Sequence, residues 1–355
     1  MSDQQIRLTF RNGGWVLVMT GVVLLGVIAW AIAPAIFRLS DMPPGDNQTI
    51  ESYAFDLSNL QIEKELVVPA MRHRDMSPKA IDPIILTPDE ISKKNNSRRD
   101  PLLVSKDLVV GVVIGNEARA YPLHFLHVHE IINDTLGGVP IAVVWHWPSG
   151  HLAVFERTID SKIETFSNSG LCGNGGMLFY IPDNTTVGGE QLFASILSRA
   201  ASGEDFSLVP IKHDLLSWKR WLIEHPNTTS IAPNAQLKKR YRKASPELYF
   251  RTEKIYFPTG PMPEDQADPK TPVISVTIGN AQKVYSIPML LQIADESMQV
   301  FTTIGETQIV FTVEEDPLNA TVRDVRDQQI HATRSLWFTW HANHPNSKLT
   351  SLLQD

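Results

Sequence analysis

VGVVIGNEARAY at residues 110–121 and ISVTIGNAQKVY at residues 274–285 read as two copies of one β-hairpin. In the first copy Val110, Val112 and Ile114 alternate with Gly111 and Val113. Gly115-Asn116 then supplies a tight turn before the chain returns through Ala118 to Tyr121, the pattern of an antiparallel pair. The copies align without a gap, sharing Val112/Val276, Ile114/Ile278, Gly115/Gly279, Asn116/Asn280 and Tyr121/Tyr285, with Arg119 matched by Lys283. A second pair follows in the same order: LSWKRWLIEHPNT at 216–228 matches SLWFTWHANHPNS at 335–347. Trp218 and Trp221 thereby pair with Trp337 and Trp340, and each Trp-x-x-Trp places two indoles on one helical face, read as a core clamp. The His-Pro-Asn after each stops the helix, because proline disfavours helical geometry in the residue before it.

Two ordered matches predict an α+β, β-rich fold of two unequal, repeat-related units with short helices. The hairpins lie 164 positions apart and the tails 119, so the second unit lacks about 45 residues that the first contains between Tyr121 and Trp218. The expected organisation is a cytoplasmic N-terminus (1–14), a transmembrane helix (15–37), a stalk (38–70), a first unit (71–232), a linker (233–270) and a second unit (271–355).

Residues 15–37 (WVLVMTGVVLLGVIAWAIAPAIF) carry no charge, and at ~1.5 Å per residue a helix of this length spans the ~30 Å of a bilayer's hydrocarbon. Arg7 and Arg11 precede it and only Arg38 follows before Asp41 and Asp46, which places the N-terminus in the cytoplasm and the bulk in the periplasm or outside. Ala31-Ile32-Ala33 resembles a signal-peptidase site, but Pro34 is a poor cleavage context, so an uncleaved single-pass anchor in contact with the lipid bilayer is expected. The remainder, 43% apolar and 20% charged over 355 residues, is long enough for real cores.

The net charge of −7 is dispersed, so no nucleic-acid partner is expected. The basic run KKRYRK at 238–243, with Pro233 before it and Pro246 after, is read as a solvated linker. A lone cysteine, Cys172, excludes an internal disulfide and Cys-x-x-Cys chemistry. It sits in the glycine-dense SGLCGNGG at 169–176, either as a packing residue or as a thiol on an exposed turn.

Further elements are expected as strands at 139–145, 152–157, 162–166 and 177–181, and a short amphipathic helix at 191–201 (QLFASILSRAA). A turn is expected at Asn133-Asp134 through Gly137-Gly138, and a capped helix begins at Thr87-Pro88-Asp89-Glu90.

Five of eleven histidines, His124, His127, His129, His146 and His151, fall within 28 residues. Imidazole binds late transition metals, so these five are the candidate ligands of a copper or zinc ion, the one cofactor the sequence suggests. No single element presents the first three on one face, and the competing reading is of separate hydrogen-bonded core imidazoles. His129-Glu130 offers an alternative, a general base with a carboxylate acting on metal-bound water, but no Gly-x-Ser-x-Gly elbow supplies a serine nucleophile.

VVGVVIGNEARAYP at 109–122, HEIINDTLGG at 129–138, PIAVV at 140–144, VFER at 154–157 and the second hairpin with both tails together resemble the bacterial and archaeal domain-of-unknown-function 3179 family over about 76–349. The resemblance implies a β-rich, extracytoplasmic or membrane-associated domain of unassigned activity. Members of that family commonly carry a Cys-Pro-Leu-Cys-Gly-like segment where this chain has His146-Trp147-Pro148-Ser149-Gly150. Thiol chemistry at that place is therefore not expected here. The resulting expectation is a membrane-anchored extracytoplasmic binding or structural module with a transition-metal site among the five histidines, the alternative being a metal-dependent hydrolase using His129 and Glu130.

Overall fold

A computed structural model describes residues 14–40, 43–97, 101–183, 188–260, 262 and 267–351. It divides into two compact units, 1–44 and 45–355. In the first, helix α1 runs Gly14–Ser40, and its segment Gly14–Ala33, with mean hydropathy 2.6, is long and apolar enough to cross a membrane. Residues 1–13, with Arg7 and Arg11 of the expected cytoplasmic end, lie outside the described residues.

The second unit is β-rich and, among the described residues, holds seven short helices: α2 (Pro88–Asn95), α3 (Leu123–His129), α4 (Trp218–Glu224), α5 (Lys238–Lys243), α6 (Glu247–Phe250), α7 (Ile287–Ile293) and α8 (Trp337–Asn343). Helix α2 starts as expected: Thr87 Oγ1 accepts from the Glu90 N–H, and the Glu90 carboxylate accepts from the Thr87 N–H at 2.8 Å. A central sheet runs in the order Ala281–Ser286, Pro272–Ile278, Ala332–Leu336, His151–Glu156, Val139–His146, Ile131–Leu136, Ala80–Ile81.

Val139–His146 is apolar almost throughout because both of its faces are covered. Ile141, Val143 and Trp145 join one core with Val109, Val110 and Trp221. Ala142 and Val144 join another with Phe166, Phe179 and Phe193. The first core lies against a five-stranded sheet that contains the first hairpin, in the order Asp214–Ser217, Leu108–Ile114, Glu117–Pro122, Thr229–Ile231, Ile85–Leu86. The second lies against another five-stranded sheet built on Ser167–Gly173 and Gly176–Tyr180. A three-stranded sheet, Gln299–Ile304, Thr307–Glu315 and Leu318–Asp324, covers one face of the second hairpin through Ile309, Phe311 and Val313.

The two hairpins have one geometry. Each turns through a glycine at φ +58° (Gly115) or +57° (Gly279), a conformation that costs glycine no Cβ clash, and each runs directly into a seven-residue helix, α3 or α7. The strand before each tryptophan helix pairs with the first hairpin strand in the same register, Ser217 opposite Leu108 and Leu336 opposite Pro272. The helices end alike, at His225 with φ −132°, ψ 70° and at His344 with φ −137°, ψ 67°. Each imidazole packs 4.0 Å from the indole four residues earlier. All four tail tryptophans are buried, as a core clamp requires.

Several expectations are corrected. Residues 191–201 form no α-helix: Leu192–Ala194 pairs with Gly176–Tyr180, and a single 3-10 turn, Ser195–Leu197, leads to Arg199–Ala200. Leu192, Phe193 and Ala194 are buried consecutively because both faces of their strand are covered, Leu192 and Ala194 by one core and Phe193 by another. Asn133 and Asp134 lie within the strand Ile131–Leu136, where Asn133 clips Phe166 with two side-chain hydrogen bonds and Asp134 pairs with Arg119. The expected strand at 162–166 shrinks to Lys162–Ile163. The expected stalk is incorporated into the body from Ile50 onward: Ile50, Tyr53, Phe55 and Ile62 are buried, and Val67–Pro69 pairs with Ser167–Gly173. Arg74 fastens it by stacking 3.9 Å over Phe55 while donating to Glu190.

The absence of a side chain at Gly111 is set by its neighbour, because an added Cβ would lie 2.2 Å from the Trp221 ring. The aligned position in the second hairpin is Ser275, whose buried hydroxyl has no partner among the described residues. Gly111→Ala is expected to destabilise the protein by ~1–3 kcal/mol through overpacking, Trp221→Ala by ~3–5 kcal/mol, and Ser275→Ala to be close to neutral. Denaturant unfolding of the three variants measures this order; a neutral Gly111→Ala would refute the packing assigned to Trp221.

Candidate functional site

Helix α3 carries three of the five candidate histidines and sends them in different directions. His129 is used at both nitrogens: Nδ1 donates to the Pro78 carbonyl at 2.7 Å, which leaves Nε2 to accept from the Tyr241 hydroxyl at 2.7 Å. His127 Nδ1 donates to the Ala244 carbonyl at 3.0 Å, and its buried Nε2 has no partner among the described residues. His124 packs edge-on against Phe125 and lines a surface cavity.

His146 and His151 instead face each other across the ladder between their two strands. The first engages Ser149 Oγ at 2.8 Å, and the second donates from Nδ1 to the Arg334 carbonyl at 2.9 Å. The structure thus unites this pair and separates it from the α3 histidines. Among the described residues no three His, Cys, Asp or Glu side chains gather as a metal site requires. Burial lowers the pKa of His124, His127 and His151 to about 4 and that of His146 to about 3, so all four are neutral imidazoles at pH 7.

His146 and Ser149 stand where the resemblance places thiols. Here they close a 3-10 turn, Trp147–Ser149, ended by Gly150 at φ +60°. Ser149 Oγ also accepts from the His151 N–H at 3.3 Å, and the Ser149 side chain is fully buried. Cys172 lies in the strand Ser167–Gly173 rather than on an exposed turn, and burial pushes its thiol far above the ordinary range.

Glu130 follows α3 with φ 59° and ψ −34°, a rare conformation for a residue with a Cβ, held by its N–H on the Leu126 carbonyl and by the Trp145 N–H on its own carbonyl, both at 2.8 Å. Its side chain does not meet His129. It enters the interior, where Ser77 Oγ donates at 2.7 Å and Asn168 Nδ2 at 2.5 Å. Burial raises this carboxyl to about pH 7, with the two hydrogen bonds pulling the other way. Asn168 sits at an irregularity in its ladder. Ser77 and Asn168 come from segments 53 and 38 residues away, and nothing in the local sequence announces them.

A surface cavity of about 800 Å³ lies between α2, α3 and α5. Among its described lining residues Lys94, Lys238 and Arg242 are the cations, while Leu102, Phe125 and Pro233 supply an apolar part. Asp107, the acid among its described lining residues, accepts from the Val104 N–H at 2.8 Å. The basic run 238–243, expected as a solvated linker, keeps its five cations exposed but forms α5, a docked helix. Tyr241, its buried member, docks α5 on α3 by packing 4.5 Å from Phe125 and by bonding His129. A tyrosine amid five cations was the sequence signal for that docking.

Glu130 generates a pH-dependent prediction. With its pKa raised on folding, the native state holds an extra proton between about pH 4.5 and 7, so this residue's contribution declines as pH rises through that window. The lowered histidines act oppositely, adding stability as pH rises from about 4 toward 6.5. Comparing Glu130→Gln with wild type isolates the carboxyl: the variant should gain up to ~3 kcal/mol relative to wild type between pH 5 and pH 8. Parallel stability curves across that range would show that Glu130 ionises normally.

Comparison with curated proteins and with solved structures gives no match. A family model described as protein of unknown function (DUF3179) matches residues 81–347, a span that takes in both hairpins, both tryptophan tails, Glu130 and the His146–Gly150 turn. On that match the chain belongs to the DUF3179 family of proteins of unknown function.

Proposed function

We propose that this protein is a membrane-anchored, extracytoplasmic binding module that takes a compact anionic ligand in the cavity between α2, α3 and α5. The observation carrying this reading is the lining: three cations around an open volume with an apolar wall, the combination expected for an anionic group attached to a carbon skeleton. Arginine offers a planar fork to a phosphate or carboxylate, lysine a mobile point charge, and neutral His124 a further hydrogen-bonding edge.

The His146–Ser149 turn, closed by a buried imidazole–hydroxyl hydrogen bond and holding no thiol, supports binding over thiol chemistry. A hydrolase gains no support, since His129 and Glu130 engage different partners. The membrane reading rests on the length and hydropathy of α1, and the outward placement of the bulk on Arg7 and Arg11 before it. The matched hairpins and tails support reading 71–232 and 271–355 as unequal copies of one unit joined by 233–270.

Calorimetric titration of the full chain with inorganic pyrophosphate tests the cavity. Saturable binding is expected, weakened at least about tenfold by Lys238→Gln with Arg242→Gln and unchanged by His146→Ala. Absence of binding, or equal binding by the double variant, would defeat the proposal. For topology, alkaline phosphatase fused after Asp355 should be active and the same enzyme fused before α1 inactive. The reverse would invert the chain.

A further inference from the structure

Residues 238–256 (KKRYRKASPELYFRTEKIY) hold seven cations and two carboxylates in a chain whose net charge is −7. They form α5, α6 and the turn after it, and each helix buries one tyrosine. Tyr241 is fixed to α3, and Tyr249 donates to the Pro148 carbonyl at 2.7 Å while Lys270 Nζ lies 3.5 Å above its ring. Everything that packing does not require is turned to solvent: the five cations of α5, with Arg251 and Lys254, are exposed. Three large apolar side chains are exposed as well, Leu248 at 76%, Phe250 at 39% and Tyr256 at 48%, the last with one side of its ring packed on Tyr249. The two acids do little to neutralise the segment. Glu247 reaches only Arg251, at 3.7 Å in full solvent, and Glu253 has no ion pair among the described residues.

Apolar side chains exposed singly are ordinary, but three large ones within nine residues beside a block of like charge mark an interaction surface. Together they match a surface that is anionic at its boundary and apolar just beneath: cations meet lipid phosphates while Leu248, Phe250 and Tyr256 enter the headgroup and acyl boundary. We infer that 238–256 is a peripheral contact site for an anionic phospholipid surface. This goes beyond the ligand cavity, because the lipid-facing groups are Lys239, Arg240, Lys243 and Arg251 with the exposed apolar trio, whereas the cavity uses Lys94, Lys238 and Arg242.

The test is amide hydrogen exchange of the full chain in nanodiscs of phosphatidylcholine alone or mixed with phosphatidylglycerol. Amides of 238–256 should exchange at least about tenfold more slowly in the anionic discs, and high salt should abolish the difference. Both Lys239→Gln/Arg240→Gln/Lys243→Gln/Arg251→Gln and Leu248→Ser/Phe250→Ser should lose the protection while the central-sheet amides and pyrophosphate binding stay as in wild type. The readout is the same whether or not α1 is inserted, since retention of the chain in neutral discs reports α1 separately. Equal exchange in the two lipid mixtures would overturn the inference, as would equal protection by a soluble nucleic-acid duplex.

Discussion

Arg334 ties three sheets together, and the body depends on that junction. Its strand, Ala332–Leu336, is hydrogen-bonded on one side to Pro272–Ile278 and on the other to His151–Glu156, so buried backbone from widely separated parts of the chain is satisfied by a single strand. Its guanidinium donates to Asn319 Oδ1 in the three-stranded sheet, and the Asn319 amide donates in turn to the Leu215 carbonyl in the first hairpin's sheet. Burial lowers the Arg334 pKa to about 10, with Asp214 and Glu314 opposing the shift, and the side chain stays cationic at neutral pH. Asp214 itself pairs with Arg323 at 2.7 Å, and Glu314 accepts from Ser217 at the start of α4. A buried charge left without these partners would be heavily destabilising, which makes the junction a demanding specification of how the sheets meet.

The junction also decides what the histidines do. The Arg334 carbonyl accepts the proton of His151 Nδ1, and His151 faces His146, whose Nδ1 is engaged by Ser149. This row is sealed between sheets, a place for rigidity more than for exchange with solvent. The helices α2, α3 and α5 differ: α5 hangs on one buried tyrosine and leaves a charged cavity beside it. Rigid sheets thus position a margin of short helices, and the chemistry suited to recognition lies on that margin.

Elements whose information is local were legible in the sequence. The hairpins announce themselves by alternation and a glycine at the turn, and the tryptophan helices by indoles three apart closed by His-Pro-Asn. Residues 191–201 were not legible because a short apolar run fits helix or buried strand equally, and contact with Gly176–Tyr180 decided it. The mixed polarity of 50–69 looked like a stalk because an irregular segment buried on one face has no period to read. For the site, the spacing of histidines gave their number but not their direction: His129 and Glu130 are adjacent in sequence and point to separate partners. The cavity brings together residues near 94–125 and 233–242, a juxtaposition that only the docking of Tyr241 creates.

Recognition is assigned to the α2–α3–α5 cavity and a structural role to the paired histidines His146 and His151. A crystal structure of the chain grown with inorganic pyrophosphate tests both halves at once. It should show the anion between Lys94, Lys238 and Arg242, with the His146–Ser149 bond unbroken. An empty cavity, or the anion seated beside His146 and His151 with that turn opened, would contradict it.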